Sequence, residues 1–120
     1  MGKDLKRKFI SFQKLIPPPR ISEIKLFTNG IEKRFAKVNK RRINIDPGYL
    51  NSAKLVLATT KDFSHRIYLR KGIFAELTLF YEDKKFHPLK WTYPDYCSQP
   101  YYDILNRIRD IYVEQIKAKA

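Results

Sequence analysis

Two alternating runs meet around one glycine, and they constrain the fold more than anything else in the chain. "HRIYL" and "IFAELTLFY" flank Arg70, Lys71 and Gly72. Successive side chains on a strand point to opposite faces, so each run reads as a half-buried strand. A three-residue loop with glycine last fits a type I turn followed by a bulge, with Gly72 left-handed. That register sets Leu69 opposite Ile73, Tyr68 opposite Phe74, Ile67 opposite Ala75 and Arg66 opposite Glu76. One face of the hairpin then carries Ile67, Leu69, Ile73, Ala75 and Leu77. The other carries Arg66, Tyr68, Phe74, Glu76 and Thr78.

The flanking segments extend this hairpin into a sheet. "SAKLVLAT", 52–59, is dense in aliphatic residues and reads as a buried strand, with a helix as its rival because Ala, Lys and Leu favour one. "RRINI", 41–45, reads as a short strand ending in an Asp46-Pro47-Gly48 turn, where proline presets φ and glycine can take a positive one. "EDKK" reverses the chain again, and Phe86 and His87 begin an edge strand that Pro88 limits. Residues 7–16 alternate partly and read as a further strand, or else a short amphipathic helix, that Pro17 to Pro19 ends.

Two segments have helical spacing. Ile21, Ile24, Phe27 or Thr28, Ile31 and Phe35 form one stripe on a helix over about 20–37. Lys33, Arg34 and Lys37 sit near its C-terminal end, where positive charge suits the macrodipole. Tyr101, Leu105, Ile108, Ile111 or Tyr112, and Gln115 or Ile116 form another stripe over about 99–117, with Ser98 as cap and Pro100 in the first turn. "LKWTYPDYCSQP" has no period and reads as a loop over the sheet. The expected architecture is α+β: one domain over 1–120, with a largely antiparallel sheet packed by two main helices.

The 120 residues suffice for one modest core, and a 43% hydrophobic content argues against disorder. No apolar run approaches the roughly 20 residues of a membrane-spanning helix, so no membrane partner is expected. Cys97 is alone, which excludes an internal disulfide and points to a reducing cytoplasm. The net charge of +13 favours anionic partners, or else simply reflects a lysine-rich background. It is densest at Lys3, Lys6, Arg7 and Lys8 and at Lys37, Lys40, Arg41 and Arg42.

Four glycines, at 2, 30, 48 and 72, cannot compose a phosphate-cradling loop or a dinucleotide fingerprint. One cysteine and two histidines, His65 and His87, argue against a dedicated metal site, and no cofactor is expected. The polar stretch "TTKDFSHR" between two apolar runs admits two readings. Asp62 and Ser64 are ordinary turn residues, and Arg66 has a structural role opposite Glu76. Alternatively Lys61, His65 and Arg66 converge with Asp46 and Tyr49 on an anion, with His65 shuttling a proton and Asp62 orienting it. Trp91, Tyr93 and Asp95 would wall such a pocket, since aromatic and acidic groups together suit a base or a sugar.

The segments "KRKFISFQKLI", "EIKLFTN", "RRINIDPGYL", "AKLVLATTKDFSHRIYL", "GIFAELTLFY" and "WTYPDY" together resemble the bacterial and archaeal family known as domain of unknown function 4416. The run from "NIDPGYL" to "HRIYL" is the most specific part. Members are often labelled GTP-binding, yet this chain has neither a P-loop nor an Asn-Lys-x-Asp base-recognition motif. The resemblance implies a shared fold and a shared site, with signature residues at Asp46, Pro47, Gly48, Tyr49, Lys61, Asp62, His65, Arg66, Trp91, Tyr93, Pro94 and Asp95. It also implies that Met1 is a late start and that an N-terminal strand–helix portion of longer members is missing. Self-association or a partner chain would then cover an open sheet edge.

The expected function is binding of a small anionic or nucleotide-like ligand in a pocket formed by the DPGY, KDFSHR and WTYPDY segments. His65 and Asp62 are the candidates for proton handling. Asp46, Tyr49, Lys61, Arg66, Trp91, Tyr93 and Asp95 are the candidate ligand contacts. The alternatives are a basic nucleic-acid-binding module without catalysis, for which the sequence carries no specific signal, and a structural subunit completed by a partner.

Overall fold

The structure, a computed structural model, describes residues 7–36 and 43–119. A 3₁₀ turn (Pro18–Arg20) opens helix α1 (Ile21–Arg34). Five strands follow: β1 (Gly48–Leu50), β2 (Lys54–Thr59), β3 (Arg66–Arg70), β4 (Ile73–Glu82) and β5 (Lys85–Pro88). A second 3₁₀ turn (Pro94–Cys97) leads into helix α2 (Gln99–Lys119). The fold is α+β, and all the strand pairings are antiparallel.

The long strand β4 organises the sheet. Along one edge it pairs with β2, and β1 extends the sheet beyond β2. Along the other edge it takes two partners in succession, β3 opposite Ile73–Glu76 and β5 opposite Leu79–Glu82. A bulge interrupts β4 between them. Leu55 pairs with Leu79 and Val56 with Leu77, which leaves Thr78 as an extra residue. Strict alternation would set Ile73, Ala75, Leu77, Leu79 and Tyr81 on one face. The extra residue instead turns the first three to one face and the last two to the other.

Each face therefore has its own core, under its own helix. On one, Ile21 of α1 packs with Ala58 and Ile73, joined by Ile16, Ile24, Tyr49 and Leu69. On the other, Leu105 of α2 packs with Leu55, Leu79 and Phe86, joined by Phe9, Leu50, Leu57, Tyr81, Tyr96, Tyr102 and Ile108. Leu55 and Ala58 lie three apart on β2, an odd spacing that places them on opposite faces.

Five expectations from the sequence need correction. Residues 7–16 form no strand. They run alongside α2, with Phe9 edge-on to Tyr101 and the Gln13 carbonyl accepting from the Gln115 side chain at 2.6 Å. Phe9 and Ile16 reach the two different cores, while Ile10 and Phe12 between them stay 70% and 82% exposed. The alternation thus reflects anchoring at two ends, not ladder pairing. Residues 43–45 are likewise not a strand, and 41 and 42 lie outside the described residues, as do Lys3, Lys6, Lys37 and Lys40.

Asp46-Pro47-Gly48 is not a turn. The chain runs through it into β1, and Gly48 does not have positive φ. Glycine serves close approach here: a Cβ would lie 2.4 Å from the Val56 carbonyl oxygen. The reversal into β2 comes after it, where the Asn51 side chain accepts from the backbone N–H of Ala53 and Lys54. The α1 stripe is also rotated from its expected position. Ser22, Lys25, Thr28 and Glu32 are buried, whereas Phe27 and Phe35 are 70% and 58% exposed. Glu32 accepts from the Ile45 N–H at 2.7 Å, and the Lys25 ammonium donates to the Ile45 carbonyl at 3.3 Å. The polar face is buried because it holds the strand-like segment before β1.

Of the hairpin register, Arg66–Glu76, Ile67–Ala75 and Tyr68–Phe74 pair as expected. Arg70 then pairs with Ile73, and Leu69 is bulged. The loop has two residues, with both Lys71 and Gly72 at positive φ, as a type I′ turn requires. Asp83 and Lys84 make the second such turn, at φ 52° and 64°, without any glycine. Holding a side chain in the left-handed region costs about 1 kcal/mol or more. Lys84→Gly is therefore expected to stabilise the fold by about 1 kcal/mol, read as a higher urea midpoint with unchanged slope.

Candidate functional site

The β4 bulge fixes where polar side chains can gather. Between the ends of β3 and β5, the edge of β4 opposite β2 has no strand beside it at Leu77 and Thr78. Buried carbonyls need partners. Two side chains of the loop after β5 provide them. The Trp91 indole N–H donates to the Leu77 carbonyl at 2.7 Å, and the Thr92 hydroxyl donates to the Thr78 carbonyl at 2.6 Å. The same hydroxyl accepts from the Leu89 N–H at 2.9 Å, which closes the loop on itself.

His65, one residue before β3, lies beside this plug. Its ring stacks on Trp91 with centroids 4.6 Å apart and planes inclined by 15°. Phe63 packs against it at 5.4 Å and 51°. The Nε2 edge meets Glu76 Oε1 at 2.5 Å. Glu76 projects from β4 with 7% of its surface exposed, and the same oxygen takes Arg66 Nη2 at 3.5 Å. Arg66 Nη1 donates to the Lys61 carbonyl at 3.0 Å, and its guanidinium lies 5.7 Å from the Phe63 ring centroid. One buried carboxylate thus holds both His65 and Arg66, and Arg66 holds the loop 61–63. An open groove of about 630 Å³, lined by Phe63, Ser64, His65, Lys90 and Trp91, lies over this cluster.

A family model described as a domain of unknown function, DUF4416, matches residues 1–112 of the 120. The chain belongs to the DUF4416 family. Neither curated proteins nor solved structures provide a match.

Of the residues singled out in this DUF4416 chain, His65 and Trp91 line the groove, and Lys61 and Arg66 belong to the cluster beneath its loop. Arg66 is turned inward and committed to Glu76 and the Lys61 carbonyl. Asp62 is exposed, and Glu76 occupies the orienting position beside His65 that the sequence suggested for it. Asp46 and Tyr49 are not brought to the groove. Asp46 precedes β1 and Tyr49 lies within it, at the opposite end of the sheet from β3, roughly 14 Å away by strand spacing. Tyr49 packs in the α1-side core. Asp95 pairs with Arg7, and Tyr93 is 62% exposed. Glu76, Phe63, Ser64 and Lys90 were not singled out as site residues. The available signal for Glu76 was an acid placed in the interior of a mostly apolar strand.

Asp46 acts elsewhere. Burial first, and the Asp46 charge second, push the Tyr96 phenol up to about 12. An unfolded tyrosine ionises near 10. The folded state therefore favours the neutral phenol, and this contribution to stability is complete below about pH 10 and lost as the pH rises through about 12. In an alkaline absorbance titration, Tyr96→Phe is expected to remove the latest-ionising tyrosine. The buried pair offers a second check. Glu76→Ala strands Arg66 and should cost about 3 kcal/mol, whereas Arg66→Met with Glu76→Leu should recover most of that loss in a denaturation cycle.

Proposed function

We propose that the groove binds a small anionic ligand carrying a flat ring, of the nucleotide-like kind. The supporting observation is the composition of its walls. Phe63, 64% exposed, and Trp91 offer aromatic surface, and Lys90 and His65 offer positive charge or hydrogen bonds, around one concavity. Lys61, on the β2–β3 loop that carries Phe63 and His65, adds a second exposed cation. The ligand ring would rest on Phe63, with its anionic group towards Lys90. In this reading Arg66 and Glu76 shape the groove without touching the ligand. The exposed free thiol of Cys97 suits a reducing cytoplasm.

The net charge of +13 favours a second reading, a basic surface for nucleic acid without catalysis. One titration separates the two. Trp91 is the chain's single tryptophan, so its fluorescence reports on the groove. Nucleoside monophosphates and diphosphates are expected to change that fluorescence saturably. Lys90→Ala and Phe63→Ala should each weaken binding about tenfold while leaving the melting temperature unchanged. Binding of oligonucleotides alone, insensitive to Lys90→Ala and falling steeply with salt, would replace the groove by the basic surface.

A further inference from the structure

The environment of His65 differs at its two nitrogens. Nε2 faces Glu76 Oε1, the oxygen that also faces the Arg66 guanidinium. The Arg66 guanidinium favours Glu76 as the carboxylate, an acceptor only, and the proton of the His65–Glu76 contact then lies on Nε2. Nδ1 makes no hydrogen bond among the described residues. Arg66 Nε is the one buried side-chain nitrogen or oxygen left unpartnered among them, so Nδ1 is not buried. The ring lines the groove, with Trp91 stacked on it and Phe63 beside it. Nδ1 is therefore an acceptor that is not sealed off from solvent, on a ring that borders the groove and whose tautomer and orientation a buried carboxylate fixes. A general base needs this arrangement: a free basic atom next to the ligand, and behind it an acid that stabilises the imidazolium once formed.

We propose that His65 and Glu76 form a proton-transfer pair and that the groove hydrolyses a small aryl or nucleoside phosphate ester. The inference rests on the groove's binding an anion with a flat ring. A water oxygen bonds to phosphorus as one of its O–H bonds breaks, and that proton passes to His65 Nδ1. The bond from phosphorus to the ester oxygen breaks on the side opposite the water, the leaving oxygen departs as the oxyanion or takes its proton from solvent, and Nδ1–H returns its proton to solvent. Glu76 accepts from Nε2–H throughout and is not itself protonated. Lys90 faces the phosphoryl charge. Glu76 acts as a positioning residue, since among the described residues its carboxylate bonds to His65 and Arg66.

The probe is p-nitrophenyl phosphate, which carries both a ring and a phosphoryl group. Binding is followed by Trp91 fluorescence and turnover by nitrophenolate release, on the full chain. The expected result is saturable binding with turnover. His65→Gln should lower the turnover number at least about 100-fold, a far larger loss than the weakening of binding that the Trp91 fluorescence reads, as loss of a general base does. Binding without turnover would overturn the proton-transfer pair and leave the binding groove standing. Absence of binding would overturn both. Glu76→Gln disturbs Arg66 as well, so its positioning role is read on the native chain by ¹⁵N NMR of the imidazole. A neutral ring with Nε2 protonated and Nδ1 bare supports the pair, whereas Nδ1–H overturns it.

Discussion

Two carbonyls in the middle of β4 have no strand to bond to, and much of the molecule follows from how they are satisfied. β3 runs out at Glu76 and β5 does not begin pairing until Leu79. An open sheet edge in this position would be costly to bury and prone to mispairing. Trp91 and Thr92 close it with side chains instead of backbone. The loop that carries them is thereby fixed to the sheet. The indole, once fixed, supplies the surface on which His65 stacks. The candidate site is thus a by-product of repairing a ladder.

The electrostatics of that site follow the same economy. Glu76 is almost fully buried, which an isolated carboxylate would not tolerate. Two cationic or hydrogen-bonding partners, His65 and Arg66, come from the residues that lead into and begin the neighbouring strand. Arg66 in turn ties the loop through the Lys61 carbonyl, so the loop's shape depends on a charge carried by β4. The polar residues of the loop therefore divide by direction. Arg66 faces the protein, whereas Phe63, Ser64 and His65 border the groove.

The hairpin was readable because its cues are local. Alternation and one glycine suffice to pair Arg66 with Glu76 and Tyr68 with Phe74. The second helix was readable because Leu105 and Ile108 repeat at three residues and face one core. What escaped depends on distant partners. The polar face of α1 is buried only because Lys25 and Glu32 grip the backbone of Ile45, and no periodicity contains that contact. Pro47-Gly48 has turn chemistry, but Val56 crowds Gly48 closely enough to demand glycine in a strand. Glu76 looked like a partner for Arg66 alone. Its contact with His65 follows from the stacking on Trp91, 26 residues further along. A loop's chemistry is legible as composition, while its convergence is not.

The bulge at Thr78 also separates two kinds of change along β4. It acts as a phase shift in the apolar alternation, assigning Leu77 to the α1 side and Leu79 to the α2 side. Substitution at any one position leaves that phase intact. Loss or gain of a single residue between Ile73 and Tyr81 does not. It would turn Phe80 and Glu82 towards α2 and carry Leu79 and Tyr81 round to the other helix. It would also displace the two carbonyls from the reach of Trp91 and Thr92. The length of this strand is therefore a more stringent inheritance than its composition. Descendants of such a chain can vary the walls of the groove freely, but only by keeping count.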